Sequence, residues 1–259
     1  MATGMARGAA RRGKRIAFGD GLRIKWDHLS EPIFRGNPNV APQGSEGSRG
    51  LEWIHYCRGH RIYATQVGDR WVWNFRFSAI PGEMYFADEE LRFALNSGSG
   101  FVLIEPNLPP KIVAPNKRWD HERWQAVADL LVRDGHEVCQ FVYPNAVRLK
   151  GVRPIASPGF REACATLARA ALYIGPEGGL HHASAAVGIG AVVLFGGFIP
   201  PQVTGYAAHT NLTGGATLFC GSLKPCPHCR AAMDAITVEH VYEAAKARLR
   251  SGVALAATG

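Results

Sequence analysis

The second half of the chain alternates between apolar runs and stretches of helical periodicity. Strands are predicted at Phe101 to Glu105, Glu137 to Val142, Leu172 to Ile174 and Ala191 to Phe195, with helices between them at Glu122 to Arg133, Gly159 to Ala170 and Leu180 to Val187. The run from Ala191 to Phe195 is apolar at every position, as a parallel strand buried on both faces requires. A last helix is expected over Val238 to Arg250, with Thr237 as its N-cap. Such alternation gives an α/β fold, a parallel sheet covered on both faces. The first half is less regular. Arg15 to Phe18 reads as a short strand closed by Gly19-Asp20-Gly21, and residues 36 to 50, rich in Gly, Pro, Ser and Asn, read as a long loop. Trp71 to Phe77 alternates as a strand, with Trp73 and Phe75 expected in a small aromatic core, and Asp88 to Leu95 reads as a short helix. Ser97-Gly-Ser-Gly100 is the linker between the halves.

The most specific chemistry lies where the strand at Leu172 gives way to a helix. Gly175-Pro176 is expected to end the strand, since proline cannot donate to a ladder. Gly178 and Gly179 then leave backbone N–H groups uncovered where the helix begins at Leu180, and free amides with the helix dipole favour an anion such as a diphosphate. The other reading is an ordinary strand-helix-strand unit whose glycines serve only close packing. There is no Gly-x-Gly-x-x-Gly and no acidic residue ending the next strand, so the dinucleotide fingerprint is absent and a redox epimerase is disfavoured. His181 and His182 occupy the first helical turn, one expected to face the cleft and the other to pack.

Gly175-Pro-Glu-Gly-Gly-Leu-His-His182, followed by Val192-Val-Leu-Phe195, resembles the C-terminal signature of glycosyltransferase family 9, the heptosyltransferase-like enzymes. Asn116-Lys-Arg-Trp119 and Trp124 resemble the family's Lys-x-Trp…Trp segment, and Cys226 to Val241 is similar to its C-terminal ending. A thinner match covers residues 15 to 42, and none covers 43 to 96. The resemblance implies a GT-B architecture: a Rossmann-type parallel-sheet C-terminal domain that binds a nucleotide sugar, facing an N-terminal α/β domain across a cleft, with no metal or other cofactor required for catalysis. The chain departs from this in size. The expected organisation is a basic flexible arm over residues 1–14, a reduced acceptor-side domain over 15–96, complete alone or completed by another subunit, and a nucleotide-sugar-binding domain over 97–259.

Charge adds a polyanion to the partners considered. The net charge is +8, but Arg7, Arg11, Arg12, Lys14 and Arg15 supply five of it in a Gly/Ala-rich opening without acids, so the rest of the chain carries +3. That opening is either a solubilising tail or a nucleic-acid contact. No apolar run approaches the roughly 20 residues of a membrane span, and no apolar segment follows the basic start as in a secretory signal. Six irregularly spaced cysteines do not form a disulfide framework, so a reducing cytoplasm is the expected location.

Glycosyl transfer with inversion needs a base for the acceptor hydroxyl and positive or dipolar groups for the leaving diphosphate. The resemblance places the catalytic aspartate at Asp20; the residues alone favour a turn-forming aspartate that bonds its own backbone. Asp27, Glu31 and Glu46 are lesser candidates. Lys117 is the expected diphosphate ligand, with Asn116, Asn107, Glu177, Gly178, Gly179, Leu180, His181 and His182 forming the rest of the donor site. Glu177 is expected to bind ribose hydroxyls or cap the helix, because a carboxylate repels phosphate. Arg58, His60 and Arg61, among aromatic residues, are acceptor-side candidates. Cys220, Cys226 and Cys229 form a candidate structural metal site, set against reduced thiols; His228 adjoins Cys229 and is poorly placed to share one tetrahedral ion with it. Cys57, Cys139 and Cys164 read as buried small hydrophobes.

Two functions of different class remain at this point. One is an inverting, metal-independent glycosyltransferase whose acceptor is a glycan or another polyanion, modified bases of DNA included. The other is a non-catalytic nucleotide- or glycan-binding module descended from such an enzyme.

Overall fold

In the computed structural model, which describes residues 1–55, 60–108 and 114–256, the first element is a helix, α1 (Ala2–Ala10). The expectation of a flexible arm is therefore corrected. Thr3, Ala6 and Ala9, three residues apart, give α1 one face of small residues, and Ala6 and Ala9 pack with Ile16, Phe18 and Phe34. Its arginines are engaged: Arg7 donates to the Pro81 carbonyl at 3.0 Å and pairs with Glu83, and Arg12 pairs with Glu52. Strand β1 (Arg15–Gly19) and the short helix α2 (Glu31–Phe34) follow. Strand β2 (Leu51–His55) then lies parallel to β1. A three-stranded antiparallel sheet comes next, made of β3 (His60–Arg61), β4 (Ala64–Val67) and β5 (Arg70–Trp73), and helix α3 (Asp88–Leu95) closes this half.

The small antiparallel sheet docks on the other half of the chain. Trp71 donates its amide to the Gly221 carbonyl at 2.9 Å, and Leu223 donates to Asp69 at 2.8 Å. Trp73 crosses the Phe198 ring edge-on at 5.7 Å and donates its indole N–H to the Phe219 carbonyl, so it is half-buried against the core of the second half rather than in a small core of its own. Phe75 is not: it is 66% exposed. The strand stops at Trp73, and the Asn74 carboxamide oxygen accepts the Arg76 amide in a turn that carries Phe75 outward.

The second half keeps the four strands and the helices its pattern predicts, and adds two strands, at Arg153–Ala156 and His209–Leu212, and two helices, at Pro201–Thr204 and Pro227–Asp234, that the pattern did not give. Strand β6 (Val102–Ile104) leads through a 3-10 turn (Ala114–Lys117) to α4 (His121–Arg133), β7 (Val138–Val142), β8 (Arg153–Ala156) and α5 (Phe160–Leu167). After these come β9 (Leu172–Pro176), α6 (Gly179–Ala186), β10 (Ala191–Leu194), α7 (Pro201–Thr204), β11 (His209–Leu212), α8 (Pro227–Asp234) and α9 (Val238–Ala256). The Thr237 hydroxyl accepts the His240 amide at 3.1 Å and caps α9. The six strands are parallel and lie in the order β8-β7-β6-β9-β10-β11. Alternate residues serve opposite cores: Leu103, Tyr173 and Val193 on one face, Val102, Leu172 and Val192 with Trp124 and Leu131 on the other.

This is the Rossmann strand order, in which the direction of winding reverses between the first and fourth strands. Here those strands are β6 and β9, and a crevice beyond their C-terminal ends is where such sheets bind ligands. Strand β9 runs on through Gly175 and Pro176, which pair with Val193 and Leu194, so the expected stop before Gly175 is corrected. The physical reason is direction. Glu177 donates its amide to Leu194 on the β10 side, so the position before it faces β6, which has already ended; no donor is needed there.

A buried ion pair joins the halves. The Arg161 guanidinium, on α5, binds the Glu90 carboxylate of α3 through two bonds of 2.5 and 2.8 Å and donates to the Pro32 carbonyl at 2.7 Å. Both side chains are about 95% buried, and this pairing holds the Glu90 carboxyl below its ordinary range.

Candidate functional site

The site forms at the switch between β6 and β9. Gly175 admits the Tyr173 hydroxyl where any side chain would collide with it. Beyond it, the Glu177 carboxylate is buried and paired with the Lys117 ammonium, brought in by the 3-10 turn that follows β6. Lys117 also lies over the Phe198 ring at 5.1 Å. Burial opposes ionisation of Glu177, but the Lys117 charge and the neighbouring His182 outweigh it and hold the carboxyl well below the usual range. Immediately after Glu177, α6 starts at Gly179, and the first turn of a helix presents amides with no intrahelical partner.

The two histidines divide as adjacent helical residues must. His181 is fully buried against Phe195, Tyr206 and His209, neither ring nitrogen has a partner among the described residues, and burial holds it neutral. His182 faces the site: Nε2 lies 3.6 Å from the Glu177 carboxylate and Nδ1 shares a 2.9 Å hydrogen bond with the Tyr206 hydroxyl. Burial lowers its pKa as well, partly offset by Glu177.

Beside this cluster is a cavity of about 250 Å³, which Gly178, Gly179 and Leu180 line together with Phe141, Tyr143 and Phe160. Glu105 and Asn107, just beyond β6, also line it. Asn107 donates both its backbone amide (2.9 Å) and its side-chain amide (2.8 Å) to Glu105 Oε1, while Glu105 Oε2 has no partner among the described residues. Glu105 is 3% exposed, and burial pushes its carboxyl up to about 7 despite the two Asn107 bonds. Glu105 was not among the expected site residues; an acid directly ending an apolar strand at a switch point is the signal that identifies it.

The structure brings Lys117, Glu177, Gly178, Gly179, Leu180, His182 and Asn107 together, and leaves other expected residues elsewhere. Asn116 is a correction. It is buried, its two amide hydrogens go to the Ser222 and Lys224 carbonyls at 2.8 and 2.9 Å, and its oxygen accepts the Cys226 amide, so it staples a loop and has no N–H left for a donor. Asp20 lies in the turn after β1, where Gly19 lets the Arg23 carbonyl approach. Its carboxylate accepts the Leu22 and Arg23 amides at 3.0 and 2.7 Å and pairs with Lys25 at 2.8 Å. The bond to Lys25 and the two amide bonds hold it well below the usual carboxylate range, and its side chain is 38% exposed. Asp27 accepts the Ser30 amide, Glu31 pairs with Arg35, and Glu46 accepts the Ile24 amide. Arg58 and Cys57 fall outside the described residues; His60 is in β3, and Arg61 donates to the Tyr63 hydroxyl at 2.9 Å.

The Sγ atoms of Cys220, Cys226 and Cys229 gather within 4.8 Å of one another. Cys220 and Cys229 are 3.0 Å apart, and Cys226 is the N-cap of α8. Burial pushes the Cys226 thiol up, but amide hydrogen bonds, chiefly from Cys229, outweigh this and lower it. Three soft donors with one acidified thiol fit a thiophilic ion; among the described residues no fourth ligand joins them. His228 turns away and hydrogen-bonds the Leu218 carbonyl. Cys139 and Cys164 are fully buried, as expected.

Residues 94–222 match the family model of glycosyltransferase family 9 (heptosyltransferase). Solved structures resemble the chain, and two of them serve as examples. A family 9 glycosyl transferase from Veillonella parvula DSM 2008 has 20% identity over 67% of this chain and 55% of its own, with a TM-score of 0.52. The iron-containing dodecameric glycosyltransferase TibC from enterotoxigenic E. coli H10407 has 13% identity over 87% of this chain and 69% of its own, with a TM-score of 0.53. At these identities the likeness is one of fold, and the chain spans little more than half the length of the first. No curated protein sequence matches the chain.

Proposed function

Residues 94–222 are a glycosyltransferase family 9 domain, and from that premise we propose that the chain transfers a sugar, with inversion and without a catalytic metal, from a nucleotide-sugar donor to a glycan or other polyanionic acceptor. The observation that carries this reading is Lys117, an ammonium held at the sheet's switch point beside the first turn of α6. An acceptor oxygen attacks the anomeric carbon, the bond from that carbon to the diphosphate breaks, and the charge left on the diphosphate is met by Lys117 and the α6 amides. Glu177 holds Lys117 in position until the diphosphate competes for it; a carboxylate so firmly ionised does not itself move protons.

Asp20 is the proposed base for the acceptor proton. Its pairing with Lys25 makes it a weak base in this state, so that role requires the acceptor to displace Lys25. The same observation favours a second reading, a module that binds the donor without turning it over. Release of nucleoside diphosphate from nucleotide sugars in the presence of acceptor glycans separates them. An Asp20→Asn variant that binds donor but no longer turns it over supports the first, and donor binding without turnover by the native chain supports the second.

We further propose that Cys220, Cys226 and Cys229 hold one structural ion, which would fix the loop preceding α8. That loop is the one Asn116 staples next to Lys117, so the ion would serve the donor site by rigidity alone. Among the described residues no helix is long and apolar enough to cross a membrane.

A further inference from the structure

The small antiparallel sheet lies outside residues 94–222, which match the family model, yet it reaches the donor site through two rings. Phe198 follows β10, and its carbonyl accepts the Gly221 amide at 3.1 Å. It is 3% exposed. The Trp73 ring of β5 stands nearly perpendicular to it, with centroids 5.7 Å apart. The Trp73 indole N–H donates to the Phe219 carbonyl at 3.2 Å, so this ring cannot turn away without losing a bond. Over the Phe198 ring lies Lys117 Nζ, 5.1 Å from the centroid, on a side chain that is largely buried. An aromatic face carries partial negative charge and attracts an ammonium, more strongly where both are out of water. The two partners of Lys117 differ in what they leave for a ligand. Glu177 occupies its N–H groups through the carboxylate and, at 3.4 Å, through the backbone carbonyl. A diphosphate must compete for those same hydrogens. The ring takes none of them. A second carboxylate in its place would also hold the ammonium, but would add a charge that repels the diphosphate.

We infer that Phe198 is a positioning residue of the donor site: its ring face, braced by Trp73, keeps the Lys117 ammonium in place while a diphosphate displaces Glu177. The inference rests on the donor-site reading above and names what keeps Lys117 set for the leaving group. In the free protein the carboxylate dominates the hold on Lys117, and the ring adds to it. As the N–H groups turn to the diphosphate, the ring is the partner that stays, and its share of the hold grows. An ammonium on a flexible four-carbon stem then needs less ordering by the ligand, which strengthens binding. The small sheet thereby acts on the donor site from outside the family domain, through Trp73 and without touching the ligand.

The test is isothermal titration of the full chain with inorganic diphosphate, native and with Phe198 replaced by mono-, di- and trifluorophenylalanine. Each fluorine draws charge from the ring face and changes the ring's size little. Affinity should fall at every step, by roughly three- to thirtyfold over the series, the range of a cation–π contact. Trp73→Leu should weaken binding in the same sense, and Trp73→Phe should restore most of it. An affinity that stays level or rises with fluorine overturns the inference and leaves the donor site standing, even where Phe198→Leu binds weakly, because a ring that only fills space is indifferent to its charge. Should the trifluoro protein misfold, the mono- and difluoro proteins decide the matter. Unchanged affinity in a folded Trp73→Leu removes the brace and overturns the inference as stated. Failure of the native chain to bind diphosphate, or equal binding by Lys117→Met, overturns the donor site itself, and the inference with it.

Discussion

Lys117 and Glu177 form a buried ion pair between the turn after β6 and the end of β9, with side chains 13% and 5% exposed. Removing one member of such a pair leaves an uncompensated charge out of water, at a cost of about 3–5 kcal/mol. Lys117→Met should therefore lower the free energy of unfolding in urea by about 3 kcal/mol, and the Lys117→Met/Glu177→Gln double variant should lose much less than the sum of the singles. Additive losses would mean that the two groups are not coupled.

Glu105 should make stability depend on pH in a direction unusual for a carboxylate. The folded chain keeps this proton up to about pH 7, whereas an unfolded carboxyl releases it near 4.5. Between those values the folded state binds more protons, so stability falls as pH rises. The window corresponds to about 3 kcal/mol at ~1.4 kcal/mol per pH unit. The other titratable groups on the cavity, Tyr143, Tyr173 and Glu177, do not titrate in this range: burial raises both tyrosines, and Glu177 stays charged. The buried histidines act in the opposite sense, so the quantity to measure is native minus Glu105→Gln, by urea unfolding from pH 4.5 to 7. It should decline steadily across the window; a flat difference contradicts the account.

What could be read from the residues follows from how local each cause is. The alternation of strands and helices after residue 100, the Thr237 cap and the glycine turn at Gly178 are nearest-neighbour effects, and they stand where their patterns put them. The helix at Ala2–Ala10 was hidden because its small-residue face needs β1 to pack against, while its charge suggested solvent. Pro176 joined a ladder because the neighbouring strand had ended, a fact about β6 rather than about proline. Asn116 sits beside Lys117 in sequence, yet its partners are more than 100 residues away. Glu105 carries a signal in the sequence, an acid that ends an apolar strand, but its burial beside the cavity depends on strands and helices far along the chain.

Arg161 ties α5 to α3 and to the Pro32 carbonyl, so it links the two halves of the chain. Arg161→Met strands Glu90 and three or more carbonyl and carboxylate bonds in a dry place, and should lower stability by about 3–5 kcal/mol. Limited proteolysis should cut near α3 sooner than in the native chain. Unchanged proteolysis and unfolding would show that the halves are held together by other contacts.

The three clustered thiols should take up one thiophilic ion per chain. Addition of Co²⁺ to the chain, purified without chelator and then stripped, should give a thiolate-to-metal charge-transfer band that Cys226→Ser or Cys229→Ser weakens or removes. No band, together with full reaction of Cys220, Cys226 and Cys229 with a thiol reagent before and after metal addition, would leave them as plain reduced thiols.

A nucleotide-sugar donor site built on Lys117 requires that ligand binding depend on that ammonium. The direct measurement is thermal and urea stability of the native chain and of Lys117→Ala, each with and without a panel of nucleoside diphosphates and nucleotide sugars, every shift referred to the same protein without ligand. A ligand at one hundred times its Kd adds about 2.7 kcal/mol. A shift of that size is expected for a subset of the panel in the native chain, with its loss in Lys117→Ala. No shift with any member, or an equal shift in both proteins, would contradict it.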